Sequence, residues 1–293
     1  MRVTSLLPDW LTFRRFTAFT TALTLALVML GVYTAATGSG LACSAQWPLC
    51  DNGLLPQTVP SFIEWFHRLV AMVTGWFILG TAAWAWRGGD RRTRLPATLA
   101  VVLLPLQISI GAVTVTLSGM FPRGYSPPTQ GAHLLVALTI FTALVVATLR
   151  SYEGHYDRPR LLRVRHSLLA AVVLFPVMAL FSRLVPAVPY TPDVQAVYYG
   201  TSLALFGSVV AATAWLRGDD SGLSRLRYLT GAALSLVFVS LLLGRDLVYY
   251  TPTVRAVDLG IVSLAAALVV AATVTVYRAT DGDVGSVGLS SQH

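Results

Sequence analysis

Residues 134–149 read LLVALTIFTALVVATL, sixteen positions with no charge and no strict alternation of apolar and polar side chains. A transmembrane β-strand would be a segment of ~10 residues in regular alternation. This run therefore reads as a helix that crosses a bilayer, where each backbone group must find its partner inside the segment. About 20 apolar residues span a hydrocarbon core ~30 Å thick. Eight such stretches follow one another along the 293 residues, approximately 16–36, 62–86, 96–117, 131–150, 164–185, 195–216, 227–245 and 254–277. Composition agrees with this reading: 55% of the chain is AVILMFWYC, only 12% is charged, and mean hydropathy is +0.67. A soluble globular chain carries about a quarter charged residues, and disorder needs low hydrophobicity with high charge, so both classes are excluded. The fold class expected is all-α: a polytopic membrane protein of eight transmembrane helices. The first span follows Arg14 and Arg15 and has no small-residue cleavage pattern after it, so a retained helix is expected rather than a signal peptide.

Net charge is +8, from 21 basic residues, all arginine, against 13 acidic ones. A nucleic-acid binder would gather that charge on one face. Here it falls in short clusters between apolar runs. Arg2, Arg14 and Arg15 precede span 1; Arg87, Arg91, Arg92 and Arg94 join spans 2 and 3; Arg158, Arg160, Arg163 and Arg165 join spans 4 and 5; Arg217, Arg225 and Arg227 join spans 6 and 7. All lie on one side of the membrane. By the positive-inside rule both termini are expected in the cytoplasm, and the loop 37–61, with Cys43 and Cys50, outside.

Two pairs of spans repeat. Pro60 to Arg87 ends in Ala-Ala-Trp-Ala-Trp-Arg, and Pro192 to Arg217 ends in Ala-Ala-Thr-Ala-Trp-Leu-Arg. Pro128-Thr129 precedes a run containing Leu-Val-Val-Ala-Thr, and Pro252-Thr253 precedes one containing Leu-Val-Val-Ala-Ala-Thr. Two tandem four-helix bundles are expected, 1–155 and 156–293, in one orientation. Membrane folds are often built from such repeats.

Ionisable groups at membrane depth are costly, so each is a functional candidate. Glu64 and His67 lie three apart and share a helix face. His133 lies at similar depth in span 4. One imidazole on each of two facing helices is how a bundle holds a haem iron. With two histidines and no cysteine nearby, haem fits better than tetrahedral zinc; the alternative is a pair of histidines bonded to backbone carbonyls. Glu64 reads either as an ion-pair partner of Arg68 or Arg123, or as an acid or base at the cofactor edge. Cys43 and Cys50 flank six residues in a loop on the oxidising side, a spacing suited to a disulfide, either as a staple over the site or as a redox pair.

These residues in this order resemble the haem A synthase family, membrane enzymes of respiratory oxidase biogenesis. The matching motifs are Thr-Gly-Ser-Gly-Leu-Ala-Cys at 37–43, Trp47-Pro48-Leu49-Cys50, Glu64-Trp65-Phe66-His67-Arg68, the stretch Gln107 to Thr116 with Gly111-Ala112-Val113-Thr114-Val115, and Gly131-Ala132-His133-Leu134. The resemblance implies an oxidoreductase that converts the C8 methyl of haem O to a formyl group by successive hydroxylations. It implies that His67 and His133 hold the substrate haem and its iron, that Glu64 assists, and that Cys43 and Cys50 are the family's outer-loop pair. Arg68 and Arg123 at the outer mouth are expected to meet haem propionates. Haem O is the implied substrate, haem O synthase a possible partner in the bilayer, and a homo-oligomer possible.

The second half departs from the family, whose eight-span members carry a second histidine pair there for haem b. Alignment from Pro192 sets Gln195 opposite Glu64 and Tyr198 opposite His67. Alignment on Pro252-Thr253 sets Val257 opposite His133, with Asp258 next and Arg255 or Arg245 as its expected partner. A haem b in this half is therefore doubtful, and a scaffold role is expected. The alternative function for the whole chain is a non-catalytic membrane b-type cytochrome, which needs the histidines and not Glu64. A transporter is suggested only by the repeat.

Overall fold

The computed structural model describes residues 8, 10–44, 46–117, 120, 125–155, 159–185, 187–216, 224–245 and 248–289. Among them are eight helices long and apolar enough to cross a membrane: α1 Phe13–Ala36, α2 Val59–Gly88, α3 Arg91–Thr116, α4 Pro127–Tyr152, α5 Arg160–Leu180, α6 Pro192–Trp215, α7 Ser224–Leu243 and α8 Pro252–Leu289. The described residues contain no β-strand beyond an isolated bridge between Cys50 and Gly53. This is a multi-pass all-α membrane protein.

Helix ends follow local chemistry. The Thr12, Thr58 and Asp90 side chains accept the N–H of Arg15, Ser61 and Thr93, capping α1, α2 and α3, which satisfies donors that a first turn leaves open. The Thr93 hydroxyl and N–H hold the Asp90 carboxyl below its ordinary range. Prolines open α2, α4, α6 and α8, where the missing N–H costs nothing. After α1, Gly38 takes φ +72° and turns the chain into a 3₁₀ turn, Ser39–Leu41. α5 stops at Leu180, short of the span expected to 185. There the Ser182 hydroxyl bonds the Ala179 carbonyl, and Arg183 turns away to Val248. Hydropathy continues past that point, but the helix does not.

The chain divides into two compact units, Met1–His155 and Tyr156–His293. In the first, α1 and α3 each pack on both α2 and α4, giving an antiparallel ring with α2 and α4 at opposite corners. Its core gathers Ile78, Ala100, Val136, Ile140 and Leu144. At the end remote from the cysteines, hydroxyls join α1 to its neighbours: Thr17 to Ser151 (3.2 Å), Thr21 to Thr148 (2.8 Å) and Thr81 to Thr20 (3.2 Å). Such bonds between membrane helices are worth about 0.6 kcal/mol each.

The second unit repeats the arrangement, with α5 against α6 and α8, and α7 against the same two. Three tyrosine hydroxyls bond the carbonyls at the end of α7: Tyr199 to Leu241 (2.6 Å), Tyr190 to Gly244 (2.9 Å) and Tyr198 to Ser240 (3.4 Å). The last carbonyls of a helix have no partner of their own, so the tyrosines supply it. Gly244 lets Tyr198 come close, since a Cβ there would lie 2.6 Å from the phenol ring. Gly244→Ala is expected to destabilise the protein by about 1–3 kcal/mol through overpacking, seen as a lower Tm in detergent. Gly231→Ala, where a Cβ meets nothing within 4 Å, serves as the control and should not lower Tm.

Candidate haem site in the first unit

The site grows from the first turns of α2. Glu64 is 2% exposed and faces the chain between α1 and α2. There Cys43 and Cys50 form a disulfide, with Cα atoms 4.8 Å apart. The bridge holds the Cys43 N–H 2.6 Å from Glu64 Oε2. One turn on, Arg68 pairs with the other carboxylate oxygen and donates to the carbonyls of Gln46 (2.6 Å) and Ser44 (2.8 Å). Thus Glu64 is an ion-pair partner of Arg68, one of the two partners expected; Arg123 lies outside the described residues. Further along the loop, Asp51 accepts the Gln57 N–H (2.8 Å) and the Ser61 hydroxyl (2.9 Å). These bonds, the first above all, hold its carboxyl below the ordinary carboxylate range. Trp65 Nε1 donates to the Pro48 carbonyl at 3.2 Å. Loop and helix end form one bonded unit.

His67 and His133 stand on the diagonal helices α2 and α4, both half-buried. Each rests on a glycine. A Cβ on Gly31 of α1 would lie 3.0 Å from His67 Cε1, and one on Gly111 of α3 would lie 3.3 Å from His133 Cε1. The buried Nδ1 of His67 has no hydrogen-bond partner among the described residues. His133 Nε2 faces the carboxamide nitrogen of Gln107 at 3.0 Å. Two imidazoles on different helices, each seated on a neighbouring helix where no Cβ intervenes, are the donor set a haem iron would take. Gln107, Gly31 and Gly111 are the site features that sequence reading missed as such. An amide within an otherwise apolar span was the available signal for Gln107.

In the second unit the same end carries different chemistry. Gln195 and Tyr198, each 2% exposed, occupy the α6 positions expected to match Glu64 and His67. On α8 the register is corrected by one residue. Counted from the first helical residues, Pro127 and Pro252, Asp258 and not Val257 answers to His133. Burial agrees: Asp258 is 2% exposed and Val257 52%. The expected arginine partner is also corrected. Asp258 accepts the Tyr250 hydroxyl at 2.8 Å, while Arg255 donates to the Leu184 carbonyl and Arg245 lies over the Tyr199 ring. Burial and the Asp258 carboxylate push the Tyr250 hydroxyl up, so it remains a donor. A tyrosine bonded to α7 and a carboxylate bonded to a tyrosine do not fit a bis-imidazole haem.

Residues 57–185 match a family model described as cytochrome oxidase assembly protein, COX15-CtaA. Over 138 residues the chain is 34% identical to a heme A synthase of Bacillus licheniformis, covering 46% of this chain and 44% of that one. A heme A synthase of Geobacillus kaustophilus is 34% identical over 142 residues, covering 46% and 43%. A protoheme IX farnesyltransferase of Halobacterium salinarum is 39% identical over 123 residues, covering 41% of this chain and 26% of its own length. The matched stretch spans less than half of each of these relatives. The stretch that resembles the COX15-CtaA family of cytochrome oxidase assembly proteins, residues 57–185, holds both histidines, Glu64 and Gln107.

Proposed function

We propose that this chain is a haem A synthase, an oxidoreductase that converts the C8 methyl of haem O to a formyl group by successive hydroxylations. The observation that carries the reading is the pair His67 and His133, inward on opposite helices of one bundle, with the buried carboxylate of Glu64 one turn from His67. The names of the two heme A synthase relatives support it. The substrate brings its own iron, and the two imidazoles would stand on either side of it to ligate or position it.

The chain's own groups do the rest. The Cys43 N–H and Arg68 each hold one oxygen of Glu64, so that the carboxylate would stand fixed at the edge of the site and stabilise positive charge that develops there. Arg68 keeps its Nε–H and one further N–H for a propionate, and Arg123 is proposed for the second. The site would lie toward the outer face of a plasma membrane, with both termini cytoplasmic, as the arginine clusters favour. The second unit would serve as scaffold. The farnesyltransferase relative supports a haem O synthase as neighbour in the bilayer.

The test is coexpression with a haem O synthase in a host that makes no haem A, followed by pigment extraction. Haem A or its hydroxylated precursor is expected. Glu64→Gln keeps an acceptor for the Cys43 N–H and should cut formation by ~10²-fold or more while haem stays bound. Pigment holding only haem B and haem O in every variant would leave a b-type cytochrome in its place.

A further inference from the structure

We propose that Gln107 is the gate on His133: by bonding Nε2 it holds that imidazole off the iron and keeps one axial position of a bound haem open. The proposal rests on the haem reading above.

Of the two ring nitrogens, Nε2 lies farther from the backbone and is the one a helix-borne histidine extends toward the bundle centre. In α3, Gln107 and Gly111 are four apart and share a face. Gly111 admits the His133 ring, with Cε1 3.3 Å from where a Cβ would stand, and Gln107 then meets Nε2 at 3.0 Å. With the carboxamide nitrogen as donor, Nε2 accepts through the lone pair that iron would otherwise take. Coordination would exchange one N–H···N bond for one Fe–N bond, with no proton moved. The Gln107 carbonyl oxygen is buried without a donor among the described residues, so none of them holds the amide in a second orientation.

His67 has no counterpart to this restraint. Its ring sits on Gly31, and no described side chain stands to it as Gln107 stands to His133 Nε2. The two imidazoles are therefore unequal: His67 is the standing ligand and His133 the exchangeable one. A haem clamped by both has no open position for an exogenous ligand. Gln107 is a positioning residue that sets how often such a position exists.

The experiment uses the purified full chain with bound haem and carbon monoxide as probe. Gln107→Leu keeps the volume and removes the bond; Gln107→Asn keeps the amide and shortens its reach. Both should raise the low-spin, six-coordinate fraction in the absorption spectrum and slow carbon monoxide binding to the ferrous form roughly two- to tenfold, the span of one net hydrogen bond. In a His133→Ala background, residue 107 should no longer affect either readout. Unchanged spectra and rates in the Gln107 variants at equal haem content overturn the proposal. So does an effect that persists without His133. A wild-type chain that takes up no haem overturns the haem reading as well, and is told apart by the missing absorption band.

Discussion

Arg68→Ala is expected to destabilise the first unit by about 3–5 kcal/mol, the cost of leaving one member of a buried ion pair behind. Glu64 is 2% exposed, and its two oxygens are served by the Cys43 N–H and by Arg68. With the guanidinium gone, one oxygen loses its counter-charge, and the carbonyls of Ser44 and Gln46 lose their donor together. At this size each kcal/mol moves Tm by roughly 2–4 °C, so thermal unfolding in detergent reads the effect directly. Glu64→Gln in the same chain should recover part of the loss, because a neutral amide tolerates the vacated site better than a carboxylate. A drop under about 1 kcal/mol would place the pair among exposed ones and remove the case for a rigidly held Glu64.

The second large effect is expected at the disulfide. Closing a loop of seven residues' separation is worth roughly 2–3 kcal/mol of chain entropy on the usual model. Cys43→Ser with Cys50→Ser should lower stability by that amount, and a thiol reductant should lower the wild type and leave the double variant unmoved. The loop also carries the N–H that faces Glu64 and the carbonyls that anchor Arg68. Haem A formation should therefore fall further than stability alone explains. If formation is unchanged in folded double variant, the bridge is a staple without influence on the carboxylate.

The eight spans were legible because a bilayer demands long uninterrupted apolar runs, and few other requirements produce them. Glu64 and His67 were legible as partners on one face because three residues nearly complete a helical turn. What escaped was contact between helices. The Gln107 to His133 bond joins positions 26 apart on two helices, and nothing in one sequence fixes how α3 is rotated against α4. Gly31 and Gly111 escaped for the same reason: their use is the ring pressed on them from another helix. The slip from Asp258 to Val257 arose because the repeat was aligned on a Pro-Thr pair, whereas α4 begins one proline earlier, at Pro127. One residue turns a helix by about 100°, enough to exchange an inward acid for an outward valine.

The hydroxyl contacts that tie α1 to α4, Thr17 with Ser151 and Thr21 with Thr148, make that edge of the first unit the spine of a book. His67 is printed on one leaf and His133 on the other. From Thr148 to His133 is fifteen residues of helix, a lever of ~22 Å at 1.5 Å per residue, so a 5° opening at the spine parts the leaves by ~2 Å at the imidazoles. The haem proposed above would then have a way in edgewise between such leaves, from among the acyl chains.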